Sequence, residues 1–464
     1  DFSGSDELPL GGTSFAQILN YLGKQTADLS DLPYFAQCFD VVQTLVREGV
    51  LLSGHDVSSG GLITSLLEMT FANLGVGLSL NLSELGRDLT DILFAEKPAV
   101  LMQVDQLDKA RQILGDLPYK ILGSIEAQDY LQITHEAQTE AQTLELEVNH
   151  YRKLWFQTSY RLDRHQTRED LAEARFHNFL RQPLQYKFPE HFEGSLSSLG
   201  LNADPHEGRV CKAAIIREKG VNGDREMAYA LYLAGFQVKD VHMTDLVSGR
   251  ETLEDINLIV FVGGFSNSDV LGSAKGWAGA FLYNSKAREI LDSYYRRKDT
   301  LSLGVCNGCQ LMMELGIIYP NYREHPYMTH NDSGKFESSF LNVTIPSNGS
   351  VMLSSLAGAR LGIWVAHGEG KFNFSKDKDH YHIAAYYSYG DYPGNPNGSD
   401  YNVAAVTSMN GRHLAIMPHL ERSIFPWQWA YRADHQLGHE VTPWIEAFIN
   451  ARNWISKRTK QAAG

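Results

Sequence analysis

One stretch of this 464-residue chain has the residue types and spacing of a covalent nucleophile: Gly304-Val305-Cys306-Asn307-Gly308-Cys309-Gln310, between the apolar run LSLGV and the helical pattern QLMMELG. A nucleophile on a sharp strand-to-helix turn stands clear of the sheet, and small residues beside it permit the tight backbone. Cys306 fills that position. A helix N-terminus stabilises a thiolate, and the N–H of Asn307 faces the place where an oxyanion forms. Most cysteines are small buried hydrophobes, but the glycine pattern and strand context here favour the nucleophile. The alternative is a Cys306/Cys309 redox or zinc pair. Zinc needs two more ligands at recognisable spacing, and Cys38 and Cys211 stand alone.

A thiolate in acyl transfer needs an imidazole to protonate the leaving amine and an acid to orient that imidazole. His419 and Glu421, in PHLER after the apolar run HLAIM, are two residues apart, and in extended chain such residues share a side. His367 and Glu369, after GIWVA, have the same spacing, so spacing alone does not choose between them. A third constellation is His55-Asp56-Val57-Ser58-Ser59-Gly60-Gly61, between a strand-like VLLSG and a helical ITSLLEMTFANLG. An aspartate there can hold Mg²⁺, a serine hydroxyl can meet a phosphate oxygen, and glycines let the backbone approach. The same pattern equally suits a glycine-bounded turn with a capping aspartate.

The elements that must position these residues fall into three segments. Residues 1–150 mix helical periods, such as FAQCFDVVQTLVREG, with short β-like runs, VGLSLNL and KPAVLMQV. Residues 151–208 are rich in charge and aromatics, then in turn formers, and read as a linker. From 209 to 464, apolar strands alternate with helices: VCKAAIIR, REMAYALYLAG, FQVKDVHM, LIVFVGGFS and LSLGVCNGCQLMMELG. This predicts an α/β fold whose C-terminal part is a doubly wound, mostly parallel sheet, with ligands at the carboxyl ends of the strands after LIVFV and LSLGV.

Composition closes off other classes. Apolar residues make up 43% and charged residues 21%, which suits globular cores and excludes wholesale disorder. Lys plus Arg number 41 against 55 Asp plus Glu, net −14, so no general field attracts nucleic acid. No apolar run is long enough to span a bilayer, and four scattered cysteines do not make a disulfide framework. A cytoplasmic protein without nucleic-acid or membrane partners is expected.

The stretch from about 209 to 464 resembles the class I (triad) glutamine amidotransferases, through GVCNGCQ, the upstream VGGFS and the downstream PHLER. The finer motifs REKGVNGDREMA, GGFSNSDVLGSAKGWA, HGEG, NPNGS and PHLERS are similar to the glutaminase domain of the phosphoribosylformylglycinamidine synthase family. LGGTSFAQ and HDVSSGGL resemble the last lobe of that family's synthetase portion, an α+β lobe like the C-terminal domain of aminoimidazole ribonucleotide synthetase. The resemblance implies Cys306, His419 and Glu421 as the triad, with an oxyanion hole from Asn307 and the Gly263-Gly264 loop. It also implies Gln310, Asn331 and His367 as contacts to glutamine, and places the turn Asn395-Pro396-Asn397-Gly398 near them. In the front lobe it implies Asp56 as a Mg²⁺ ligand and Ser58 as a contact to ATP or ADP in an auxiliary nucleotide site. Ammonia from glutamine would serve the ATP-dependent amidine formation of purine biosynthesis. Because the chain starts at Asp1 within that lobe, the resemblance further implies a C-terminal fragment whose partners are preceding domains of the same polypeptide. A different α/β cysteine hydrolase with an attached nucleotide-binding lobe is the competing reading.

Overall fold

The computed structural model describes residues 1–136, 141–201, 211–432 and 438–463. The chain divides into two compact units, Asp1–Arg161 and Leu162–Gly464. The end of the expected linker, 202–208, and the expected boundary at 209 lie outside the described residues.

In the first unit, β1 (Leu51–Asp56) pairs antiparallel with β3 (Val100–Val104). A separate four-stranded sheet contains β2 (Gly77–Asn81), β4 (Gly123–Glu126), β5 (Tyr130–Glu136) and β6 (Ala141–Glu147), in the order β4-β2-β5-β6. The helix Gly61–Phe71 buries Leu62, Ile63, Leu66 and Leu67 in one core with Leu80, Leu131 and Ile133 of that sheet. β5 shows why: its burial alternates residue by residue, the period-two pattern of a strand with one face covered.

The second unit is built on a nine-stranded sheet. Its strands are β7 (Lys212–Arg217), β8 (Gln237–His242), β9 (Leu258–Phe261), β10 (Leu301–Val305), β12 (Glu337–Thr344), β13 (Arg360–His367), β15 (His382–Tyr387), β16 (Val403–Thr407) and β17 (His413–Ile416). A small ribbon pairs β11 (Tyr327–Thr329) with β14 (Lys371–Asn373). The strand order β13-β12-β15-β16-β17-β10-β9-β7-β8 divides the large sheet in two. From β17 through β8 every pairing is parallel, the doubly wound pattern expected; β12, β13, β15 and β16 extend it through antiparallel pairings. In the parallel half, β9 and β10 are buried at every residue, as strands covered on both faces must be.

Residues 162–201 pack within this second unit. Lys187 exchanges backbone hydrogen bonds with Arg360 of β13, and Tyr186 and Phe188 pack against Trp429. Arg175, on the helix Glu169–Asn178, pairs with Asp163 at 3.0 Å and with Glu337 at 3.0 Å, and Lys335 reaches Asp163 at 2.7 Å.

Candidate active site

The site grows from three adjacent strands, β9, β10 and β17, at their carboxyl ends. After β10 the chain turns directly into the helix Asn307–Glu314, and Cys306 is the residue at the turn, with φ +52° and ψ −109°. For a non-glycine residue that backbone costs on the order of 1–3 kcal/mol, a strain that persists only where its surroundings enforce it. Two features enforce it here. The Cys306 N–H donates to the Ile416 carbonyl of β17 at 2.9 Å. The helix also presses so close to β9 that a Cβ on Gly308 would lie 2.0 Å from the Phe261 carbonyl oxygen. Cys306 is 4% exposed, and its thiol donates to the Ala366 carbonyl at 3.4 Å. As the first helical residue, Asn307 has an N–H without an intrahelical acceptor, directed out from the helix start.

β17 delivers the imidazole. His419 is held by its own N–H to the Trp364 carbonyl, 2.8 Å, and by the Ser423 hydroxyl donating to its carbonyl, 3.1 Å. Its Nδ1 lies 2.7 Å from Glu421 Oε1, both side chains fully buried. The expected pairing forms, by a different route: Leu420–Arg422 is a 3-10 turn, which folds Glu421 back under the ring, rather than an extended strand. Burial opposes a charged imidazole, but the Glu421 carboxylate and the Cys306 sulfur outweigh it and push His419 up to about 10. His419 Nε2 is buried without a hydrogen bond of standard geometry, and the Cys306 sulfur is close enough to help raise the ring.

Gly263, just past β9, stands between the two. A Cβ there would come 2.8 Å from His419 Cε1 and 3.3 Å from Cys306 Cβ, so only glycine lets the three strand ends converge.

The rival pair does not form. His367, 2% exposed, turns Nδ1 to Asn331 Oδ1 at 3.2 Å, while Glu369 Oε2 accepts the Ser273 N–H at 3.2 Å. Burial and the charge on His419 push His367 down to about 3, so its ring is neutral. Asn331 spends its amide on this loop: Nδ2 donates to the carbonyls of His367 (2.7 Å) and Lys335 (3.0 Å), and Oδ1 also accepts the Gly370 N–H at 3.0 Å. Gln310 accepts from Asn307 Nδ2 (3.0 Å) and donates to the Glu369 carbonyl (2.6 Å). Asn397 donates to the Gly370 carbonyl at 2.7 Å, which brings the NPNG turn to the same loop. Asp269 went unnoticed in the sequence, yet its Oδ1 accepts from Asn307 Nδ2 at 3.3 Å. The available signal was its place in GGFSNSD, five residues past Gly264.

The other cysteine of the C-x-x-C pair is fully buried, and burial lifts its thiol well above the usual range, so Cys309 is not a second reactive sulfur. All four cysteines are free, and among the described residues no group of three His, Cys, Asp or Glu side chains could hold a metal.

A family profile described as "CobB/CobQ-like glutamine amidotransferase domain" matches residues 210–455, more than half of the chain and the whole of this site. The chain belongs to that family. A second profile, "AIR synthase related protein, C-terminal domain", matches residues 2–136 ahead of the amidotransferase domain. Over 96% of its length the amidotransferase chain is 39% identical to Phosphoribosylformylglycinamidine synthase of Homo sapiens, covering 35% of that protein. It is 36% identical, again over 96% of its length, to Probable phosphoribosylformylglycinamidine synthase, chloroplastic/mitochondrial, of Arabidopsis thaliana, covering 33% of it. It thus spans about a third of the length of these relatives. Among solved structures, "Structure of PurLQS from Thermotoga maritima" aligns with 54% of this amidotransferase and 99% of that chain, at 22% identity and TM-score 0.41.

In the first unit, Asp56 ends β1 with its side chain 76% exposed, 3.8 Å from His55 Nδ1, and Ser58 is exposed in the turn that follows. His55 Nε2 pairs with Glu68 at 3.0 Å. Glu96 accepts the N–H groups of Gly60 (2.8 Å) and Ser14 (2.7 Å), so a carboxylate already occupies part of the anion position ahead of the helix Gly61–Phe71. Among the described residues no helix is long and apolar enough to cross a membrane.

Proposed function

We propose that this chain hydrolyses glutamine to glutamate and ammonia, and that the ammonia serves an ATP-dependent ligase of purine biosynthesis, the conversion of formylglycinamide ribonucleotide to formylglycinamidine ribonucleotide. The relatives carry the name of that ligase over nearly the whole chain. One observation carries the chemistry: a strained, buried cysteine at a helix start, with an imidazole beside it held charged by a buried glutamate.

In this reading the Cys306 sulfur attacks the side-chain carboxamide carbon. The C–S bond forms and the carbonyl electrons move onto oxygen, held by the N–H groups of Asn307 and the Gly263-Gly264 loop. His419 gives its proton to the departing nitrogen as the C–N bond breaks, then takes one from the water that cleaves the glutamyl thioester. Glu421 orients the ring and stabilises its charge throughout. Gln310, Asn331 and His367 position the substrate by holding the loops that enclose it.

The division of labour is a synthetase-like lobe over 1–150, a linker over 151–208 and the glutaminase over 209–464, acting with further domains of a longer polypeptide in the cytoplasm. In the lobe, Asp56 would hold Mg²⁺ and Ser58 would meet a phosphate of ATP or ADP. The donor set fits such a role: Mg²⁺ keeps most of its waters and takes one or two carboxylates beside phosphate, and the Asp56 carboxylate is exposed. Bound there, the ion would neutralise phosphate charge. The deciding experiment is glutamate release by wild type and by Cys306→Ala: loss in the variant is expected, and unchanged release ends the proposal.

A further inference from the structure

We propose that Phe265 and Phe336 form an aromatic gate over Cys306: their rings close the approach to the sulfur, and a substrate enters only when they part. This rests on the glutaminase reading above, in which Cys306 is the nucleophile, and extends it to how the sulfur is reached.

Something must open for this site to work, because Cys306, Asn307 and His419 are all buried. The sulfur lies between two loops. On the β9 side, a Cβ on Gly263 would be 3.3 Å from Cys306 Cβ. On the β13 side, the Ala366 carbonyl accepts from the thiol at 3.4 Å. Two residues beyond Gly263 stands Phe265. Two residues beyond Ala366 stands Gly368, where a Cβ would be 3.8 Å from Phe336 Cδ2. The loops that flank the sulfur therefore meet again through these two rings, whose centroids are 5.8 Å apart with their planes inclined by 35°.

The backbones that carry the rings are pinned. The Phe265 N–H donates to the Gly220 carbonyl at 3.0 Å and the Asn267 N–H to the Lys219 carbonyl at 2.7 Å. Between them, the Ser266 N–H donates to Asn307 Oδ1 at 3.2 Å, which ties this loop to the residue after the nucleophile. On the other side, Phe336 stands between Lys335, paired with Asp163 at 2.7 Å, and Glu337, paired with Arg175 at 3.0 Å. The segment that reads as a linker in the sequence thus holds one half of the gate in place.

The rings themselves keep room to move: Phe265 is 49% and Phe336 46% exposed. Exposed side chains change rotamer in picoseconds to nanoseconds, far faster than loops rearrange. The gate therefore opens by rotation of the rings on fixed backbones, with the catalytic groups beneath left in register. Closed again over a bound substrate, the rings keep bulk solvent from the thioester, the role that lids play in other enzymes.

The test is the rate at which iodoacetamide labels Cys306, read by peptide mass so that the free Cys38, Cys211 and Cys309 are counted apart. An aromatic pair contributes beyond the area it buries, so Phe265→Ala and Phe336→Ala are each expected to speed labelling about three- to tenfold. The double variant should be no faster than the faster single one, since loss of either ring opens the pair. Phe336→Tyr keeps a ring in place and should label at the wild-type rate. So should Leu271→Ala, which trims a largely exposed side chain further along the Phe265 loop. The two alanine variants probe one contact from opposite sides, so either one that folds decides the matter. Wild-type rates in the alanine variants, additive effects in the double variant, or equal acceleration in Leu271→Ala would overturn the gate while leaving the glutaminase reading intact. If Cys306 stays unlabelled in wild type and in every variant, its reading as the nucleophile falls, and the gate falls with it.

Discussion

The Nδ1 of His419 lies 2.7 Å from Oε1 of Glu421 with both side chains shut away from water, so the pair behaves as one buried ionic unit. Glu421 and the Cys306 sulfur raise His419 to about 10 against the effect of burial, whereas a free histidine titrates near 6.5. A group whose folded value is raised contributes stability below its unfolded value and loses that contribution as pH rises through the folded value. Wild type is therefore expected to exceed Glu421→Gln in stability by a margin that is full below about pH 6.5 and shrinks steadily toward about pH 10. Urea unfolding of both proteins across that range checks it; a margin that grows with pH contradicts the assignment.

Removing the sulfur should separate chemistry from folding. Cys306→Ala is expected to lower glutamate release by about a thousandfold or more, as loss of a covalent nucleophile does. Its melting temperature should stay close to that of wild type, because the site loses one small side chain. Steady-state assay and thermal unfolding on the same preparation read both.

Gly263→Ala probes the convergence of the three strand ends. The added methyl would sit 2.8 Å from His419 Cε1 and 3.3 Å from Cys306 Cβ, and neither neighbour has slack to give. The expected cost is about 1–3 kcal/mol of stability, typical of overpacking, with glutamate release reduced at least as severely as in a histidine variant. Retained activity would mean that the strand ends separate more easily than their packing implies.

Glu337 is buried where Arg175 and the Tyr392 hydroxyl meet it, at 3.0 and 2.9 Å. Truncation to Ala takes one acceptor from the Arg175 guanidinium, which keeps Asp163, and removes the carboxylate that the Tyr392 phenol donates to. Because Arg175 keeps some solvent, the expected loss is about 2 kcal/mol rather than the larger penalty of a fully buried pair. Chemical denaturation measures it directly.

In the first unit, Asp56→Ala should leave the melting temperature unchanged, since the side chain is mostly exposed and its charged neighbour, His55, lies 3.8 Å away. Affinity for MgADP, read by titration calorimetry, is expected to fall. Equal affinity in both proteins removes Asp56 from the nucleotide site.

Much of this was legible before the fold was known, for identifiable reasons. A mostly apolar strand, a cysteine and a glycine-containing helix start form a local signal, and the turn at Cys306 follows it residue by residue. The proximity of His419 and Glu421 was also local. Its mechanism was not: strand alternation would put residues two apart on one side, whereas here a 3-10 turn begins after the extended His419 and folds Glu421 back, and the sequence HLER does not distinguish the two routes. Nor could spacing tell the PHLER pair from the HGEG pair. Asn331 decides that by capturing His367 from a loop distant in sequence. Asp269 and Ser266 went unread because their significance lies in contacts to Asn307 across the sheet edge. The antiparallel half of the large sheet was hidden for a similar reason, since pairings such as that of β12 with β15 depend on long-range register.

The order β9-β10-β17 has a consequence for how this protein comes to life. Gly263, Cys306 and His419 follow the ends of neighbouring strands, yet the chain between Cys306 and His419 builds four antiparallel strands of the large sheet and the β11–β14 ribbon before it returns to pair beside β10. Pairings between segments so distant in sequence form late, since their loop entropy is spent before any contact repays it. A nascent or partly assembled chain thus lacks the imidazole that would arm its sulfur, and the reactive centre switches on only when the last core strand docks.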